Sequence, residues 1–474
     1  MLKLDDDILY YLACNHLKGS PSTIASLSLV SRSLCESFGY VKFRSIKLKV
    51  LTSNEQVRNI ESPAERLAKR MKEDPNMVKM VASLWFGQEG ECGSLPAFED
   101  EESVYAQRER DSICYILTRA YPGLTEVTLS AKWCIIYTDD RPLKCQILPA
   151  IWNAFQLCST LPSLSRVALL TDRVPFSLLR ALNPGLGTLA ILGGGDFIFE
   201  DGHPIEIPRT REEIKCGLHT LEIDNSRAPY QQKSSLRSPF LINTSTLTTL
   251  LLKNLSMSAN SSMSSLIRTC ASTLTTLKIF WHNNHSPYWL DVIRLNKSVA
   301  LKSLTLALSR HTSGCEARRN MNNLIDALAS CIQTHSGLQE SNLERINLLF
   351  HRGAKERDEK FGNSLFVWLY WIDRETWKHL DDLFCVERMD SCWTKLQMAR
   401  VGLLYPMSVA ERNSVVHNMM RKLPNLSQSG CLDLIVQDSE DPCCPTISGR
   451  TINSKFDSMQ FCTCVPISTR TKSK

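Results

Sequence analysis

The chain has 474 residues, and its 18 cysteines and 10 histidines are the side chains best suited to nucleophilic or metal chemistry. Their spacing gives that chemistry little support. No C-x-x-C pair occurs, and the tightest groupings, Cys443-Cys444 and Cys462-Thr-Cys464, fall in a Ser/Thr-rich stretch that reads as a disordered tail over 437–474. A structural zinc site draws its four ligands from closely spaced pairs, so no metal is expected. Cysteine and histidine partners of a nucleophilic site meet in space rather than in sequence, which leaves such pairs open. Gly193-Gly-Gly-Asp196 follows a strand-like run. It lacks both the Lys-Ser/Thr of a phosphate loop and the G-x-G-x-x-G spacing of a dinucleotide site, so it reads as a turn. No catalytic residue and no cofactor is expected. Cys114 and Cys158 lie inside apolar runs, where cysteine behaves as a small hydrophobe.

What remains is binding chemistry, and a repeat decides which side chains can take part. Ser245-Thr-Leu-Thr-Thr-Leu250 returns as Ser272-Thr-Leu-Thr-Thr-Leu277, a shift of 27 residues, and a third copy follows at the same interval. Leu247/Leu250/Leu252, Leu274/Leu277/Ile279 and Leu301/Leu304/Leu306 therefore give L-x-x-L-x-L three times. Looser copies stand at Val81/Leu84/Phe86, Leu124/Val127/Leu129, Leu164/Val167/Leu169, Leu186/Leu189/Ile191, Leu218/Leu221/Ile223, Leu343/Ile346/Leu348 and Leu396/Ala399/Val401, ten in all, with Leu432/Leu434/Val436 closing the array. Most follow a helix-like segment, as Asp111 to Ala120, Ile147 to Cys158, Ser261 to Ala271 and Met321 to Thr334 do. The second and third apolar positions lie two apart, on one side of an extended strand. A strand–helix unit cannot bury that side alone, so units stack, with parallel strands inside and helices outside.

This pattern resembles a leucine-rich repeat. The expected fold is α/β, an irregular solenoid over 77–436 with parallel strands on the concave side, because some copies are about 40 residues apart. Residues between the buried leucines then face a partner: Glu222, Thr249, Thr276, Lys278, Thr305, Arg345 and Asn347 are the candidates, with Thr220, Leu251 and Ser303 beside them. The aromatic run Phe361 to Trp377 reads as core packing, and the charged run Ala354 to Lys360 as a solvated loop or helix start.

Composition agrees with a soluble globular chain: 43% of residues are hydrophobic and 22% charged. The net charge of +6, from 55 basic and 49 acidic residues, is spread along the sequence, whereas nucleic-acid binders gather theirs on one face. Nucleic acid is not an expected partner. The longest apolar run, Leu365 to Ile372, is far below the roughly 20 residues of a membrane span. Asp5 to Asp7 argue against a secretory signal, which begins with a basic region. Cysteine density is under half the roughly 8–10% of a disulfide scaffold, so the thiols are read as reduced. Cytoplasm and/or nucleus is the expected compartment, and no membrane partner is expected.

Residues 1–50 have a different character. Ile8, Leu9 and Leu12 share one helical face, and Leu27, Val30 and Leu34 share another. The run Leu4, Asp7-Ile8-Leu9, Leu29-Val30-Ser31-Arg32 and Phe43-Arg44-Ser45-Ile46 resembles an F-box, with Asp5 where that family has proline. Val78 to Trp85, Trp377 to Leu383 with Cys392 to Leu396, and Leu423 to Leu432 are similar to segments of fungal F-box proteins with degenerate leucine-rich repeats.

The resemblance implies a three-helix F-box at 1–50, a helical linker at 51–76, and a role as substrate-recognition subunit of an SCF-type ubiquitin ligase. It also implies that Leu4, Asp7, Ile8, Leu9, Leu12, Leu27, Leu29, Val30, Ser31, Arg32 and Leu34 dock the adaptor subunit. Through the adaptor they would reach the cullin, while the repeats hold a protein substrate. The chain itself would perform no catalysis. Three alternatives remain: helices 1–50 as a plain cap of the array, a repeat scaffold with no link to the ligase, and an enzyme in an α/β fold.

Overall fold

In a computed structural model, residues 43–49, 61–87, 104–130, 135–138, 141–144, 149–170, 173–175, 181–192, 196–198, 217–224, 245–253, 266–281, 298–309, 314–335, 338–351, 372–385, 392–404 and 409–436 are described, with 23, 26, 178 and 295 singly. The chain divides into two compact units, Met1–Leu218 and His219–Lys474.

In the first unit a parallel ladder runs β1 (Ser45–Lys49), β2 (Ser83–Gly87), β3 (Glu126–Ser130), β6 (Arg166–Leu170) and β8 (Thr188–Leu192). Helices α1 (Pro63–Glu73), α2 (Met77–Met80), α3 (Val104–Leu117) and α4 (Pro149–Ser159) lie between these strands in sequence. The first unit also holds the antiparallel pair β4 (Ile135–Thr138) and β5 (Arg141–Lys144), and the parallel pair β7 (Arg173–Pro175) and β9 (Asp196–Ile198). Asp196, the last residue of the Gly193-Gly-Gly-Asp196 run, opens β9, while 193–195 lie outside the described residues.

The second unit carries a longer ladder in chain order: β10 (Thr220–Asp224), β11 (Thr249–Lys253), β12 (Thr276–Trp281), β13 (Ser303–Ser309), β16 (Arg345–His351), β17 (Met398–Leu404) and β18 (Leu432–Val436). A short antiparallel pair, β14 (Gln333–His335) and β15 (Leu338–Glu340), precedes β16. The helices are α5 (Gly314–Ser330), α6 (Arg374–Asp382), α7 (Val409–Lys422) and α8 (Pro424–Gln428), and residues 266–269 are also helical. Parallel strands paired with their successors, with helices in the crossovers, make each unit solenoid-like.

The register explains why the repeat builds this ladder. Leu84 pairs with Val127, Val167 and Leu189 in succession, and Phe86 with Leu129, Leu169 and Ile191. In the second unit Leu221, Leu250, Leu277, Leu304, Ile346, Ala399 and Leu432 form one row, and Ile223, Leu252, Ile279, Leu306, Leu348, Val401 and Leu434 the next. In all ten motif copies the second and third apolar residues lie in ladder strands, the first lies just before the strand, and all three are buried. The helices present matching stripes: Ile113, Ile116 and Leu117 in α3, Ile151, Ala154, Phe155 and Cys158 in α4, Met321, Leu324, Ala327 and Leu328 in α5. Burying one such leucine contributes about 1.5–3 kcal/mol.

Two backbone devices join successive repeats. The first apolar motif residue closes a turn: Leu124, Leu164, Leu186, Leu301 and Leu396 donate their N–H to the carbonyl three residues back. Pro122, Pro162 and Pro184 hold the second position of three of these turns, where fixed φ is an advantage. Next, one carbonyl per repeat accepts from two successive N–H groups of the following repeat. Ala82 O receives Thr125 and Glu126, Thr125 O receives Ser165 and Arg166, and Thr248 O receives Thr275 and Thr276. The Thr125, Ser165, Thr248 and Thr275 hydroxyls add a third donor to the carbonyl that their own N–H groups reach.

Two differences from the sequence reading stand out. Residues 45–49, read as the end of a helical segment, are strand β1, and Ile46 and Leu48 pair with Leu84 and Phe86. Phe43-x-x-Ile46-x-Leu48 is itself a copy of the motif, which a family signature ending at Ile46 concealed. Within 51–76, α1 carries a capping box between Ser62 and Glu65 and packs against α3 and β1 as a repeat helix. The other N-terminal candidates, Leu4 to Leu34, lie outside the described residues, as do 354–371, Cys443, Cys444, Cys462 and Cys464.

Candidate protein-binding face

Strand residues that alternate with the buried leucines line the other side of each ladder. In the second unit the register sets them in three rows. Thr220, Thr249, Thr276, Ser303, Arg345 and Met398 form the first. Glu222, Leu251, Lys278, Thr305, Asn347, Arg400 and Asp433 form the second. Asp224, Lys253, Phe280, Ala307, Leu349, Gly402 and Ile435 form the third, more apolar row. The seven candidate residues thus share one face and two adjacent rows.

They differ in availability. Glu222 Oε1 accepts from Lys253 Nζ at 2.6 Å, with side chains 5% and 10% exposed, so this carboxylate is occupied by a buried ion pair. Thr305 is buried and accepts at 3.0 Å from Asn347 Nδ2, while Asn347 Oδ1 is buried with no hydrogen-bond partner. Thr249, Thr276 and Lys278 are half-buried, and Arg345 is exposed. At the far side of the face Arg400 binds Asp433, its Nε 2.8 Å and its Nη2 2.7 Å from Oδ2. Neither Arg400 nor Asp433 was a sequence candidate. Only the register, which sets Arg400 opposite Asp433 across β17 and β18, shows that they meet.

On the corresponding face of the first unit, β6 and β8 contribute one buried apolar cluster, Ala168, Leu170, Ala190 and Leu192, whereas β1 to β3 contribute Lys47, Trp85 and Thr128 in the same row as Ala168. Glu126 and Arg166 pair across β3 and β6 at its edge.

The reactive-residue alternatives find little support in the geometry. Burial pushes the Cys158, Cys270 and Cys331 thiols up to about 12, and raises Cys114 as well, opposite to what a thiolate nucleophile needs. Among the described residues no group of three His, Cys, Asp or Glu side chains could hold a metal. No helix among them is long and apolar enough to cross a membrane. Trp377, from the aromatic run, is buried in α6, 6.2 Å from the Phe350 ring, as core packing requires. No protein-family model matches the chain, and no curated protein matches it in sequence.

Proposed function

We propose that this chain is a substrate-recognition subunit of an SCF-type ubiquitin ligase, whose repeat ladders hold a protein substrate while the N-terminal residues dock the adaptor and, through it, the cullin. The observation that supports protein capture is the register of the second ladder, which aligns side chains from seven consecutive strands on one face. A surface assembled from many repeats suits an extended ligand better than a small molecule. The adaptor half of the proposal rests on the resemblance carried by Leu4, Asp7 to Leu9, Leu29 to Arg32 and Phe43 to Ile46.

The test is co-expression of the full chain and its Leu9→Asp variant with the adaptor, followed by pull-down. Deleting residues 1–50 is a poorer control, because it would strip β1 from the first ladder. Adaptor retained by the parent and lost from Leu9→Asp supports the proposal. Adaptor bound by neither replaces it with a repeat scaffold outside the ligase.

A further inference from the structure

Charge is not spread evenly over the second unit's face. At one side Glu222 and Lys253 neutralise each other, and at the other Arg400 and Asp433 do the same. Between them, β12, β13 and β16 contribute Lys278 and Arg345 and no acidic residue. Lys278 is half-buried, Arg345 is exposed, and neither has an ion-pair partner among the described residues. Both project from the face, since each alternates with buried neighbours, Leu277 and Ile279 for one and Ile346 for the other. The centre of the face is therefore cationic, while the β10/β11 flank, where Asp224 stands beside the Glu222–Lys253 pair, is net acidic and the β17/β18 flank is neutral.

We infer that this centre receives an extended, carboxylate-rich segment of the protein substrate, with Lys278 and Arg345 as its cationic contacts. The inference rests on the protein-capture part of the function proposed above and names the chemistry of what is captured. Geometry adds a spacing. The two residues are two strands apart, about 10 Å, and offset by two residues along the strand, about 7 Å, so their backbones are about 12 Å apart. An extended peptide rises about 3.4 Å per residue and alternates its side chains, so acidic residues four apart, on one side of the peptide, would reach both cations at once. Thr276, Ser303 and Thr305 lie around the two cations in the same rows, and the hydroxyls of the half-buried Thr276 and Ser303 can bond to peptide backbone. The flanking cations Lys253 and Arg400 already bind carboxylates, so an acidic segment gains most at the centre.

The experiment selects peptides from a random 12-residue display library on the intact chain, on Lys278→Glu/Arg345→Glu, and on Lys378→Glu as a control. Lys378 is exposed on α6, and its reversal changes net charge without touching this face. Circular dichroism confirms that each variant is folded. The expected result is enrichment of Asp and Glu four apart on the parent and on Lys378→Glu, and its loss on the double variant. The best peptide should bind the double variant about tenfold more weakly, since each reversal replaces an attraction by a repulsion.

Peptides without acidic enrichment, or bound equally by the double variant, overturn the inference while leaving protein capture standing. No enrichment on any form overturns both. Adaptor pull-down, which reads the N-terminal residues, is unaffected by either result. A phosphoserine version of the best peptide binding more than tenfold tighter overturns the carboxylate assignment in favour of phosphate. A mixed-sequence 12-nucleotide single-stranded DNA that outcompetes the peptide overturns it in favour of nucleic acid.

Discussion

The Glu222–Lys253 pair shows how one contact can remove a side chain from a binding surface. Glu222 stands in the right row to touch a ligand, yet its carboxylate is only 2.6 Å from a lysine on the neighbouring strand. Removing one member leaves an uncompensated buried charge, whereas replacing both with apolar residues of similar volume does not. Glu222→Ala is therefore expected to lower the stability of the chain by about 3 kcal/mol, and Glu222→Leu/Lys253→Met by much less. Urea melts followed by circular dichroism check this, and equal losses in the two variants would show that the pair adds no more than packing. Asp373 is a contrasting surface case. Its carboxyl accepts from the Thr376 N–H at 2.7 Å and caps α6, and that bond, with Arg318 nearby, holds it below the usual carboxylate range.

Two glycines in ladder strands separate backbone necessity from loose fit. Gly87 ends β2 with φ near +147°, and a Cβ there would fall onto the Ser130 carbonyl oxygen of β3. Neither strand can yield without breaking the ladder. At Gly402 an added Cβ would instead meet Leu349 Cδ2 at 2.7 Å, the end of a side chain that can turn away. Gly87→Ala is thus expected to cost about 3 kcal/mol and Gly402→Ala about 1 kcal/mol, measured by thermal melting of the intact chain. Comparable losses would mean that β2 and β3 can separate locally. The strands themselves were legible in sequence, because L-x-x-L-x-L is a local pattern that folding repeats one copy at a time. Strand β1 escaped because Phe43 to Ile46 also fits a family signature and was read with the residues before it. The pairing of Glu222 with Lys253 was not legible, since it joins residues 31 apart and becomes visible only once Glu222 is set opposite Leu251. The same holds for Arg400 and Asp433, 33 apart.

Each unit buries its own rows of leucines, and within a unit a repeat touches mainly its neighbours, so damage should stay close to where it is made. Leu277, fully buried in β12, is a suitable probe. Leu277→Ala is expected to cost about 2–5 kcal/mol. The accompanying rise in amide hydrogen exchange should be largest in β11, β12 and β13 and small in the ladder of the first unit, by mass spectrometry of the intact chain. A uniform rise over both units would refute this nearest-neighbour behaviour. The shared carbonyl that couples one repeat to the next has a consequence for how such a chain can change over generations. The coupling asks only that two N–H groups and one carbonyl meet. It is the same whether the chain between joints runs 27 residues, as from Thr248 to Thr275, or 53, as from Glu344 to Gln397. Insertions and deletions between joints therefore leave the stacking of strands unchanged, and this chain's lineage could vary its loops freely while keeping a standard fitting between its parts.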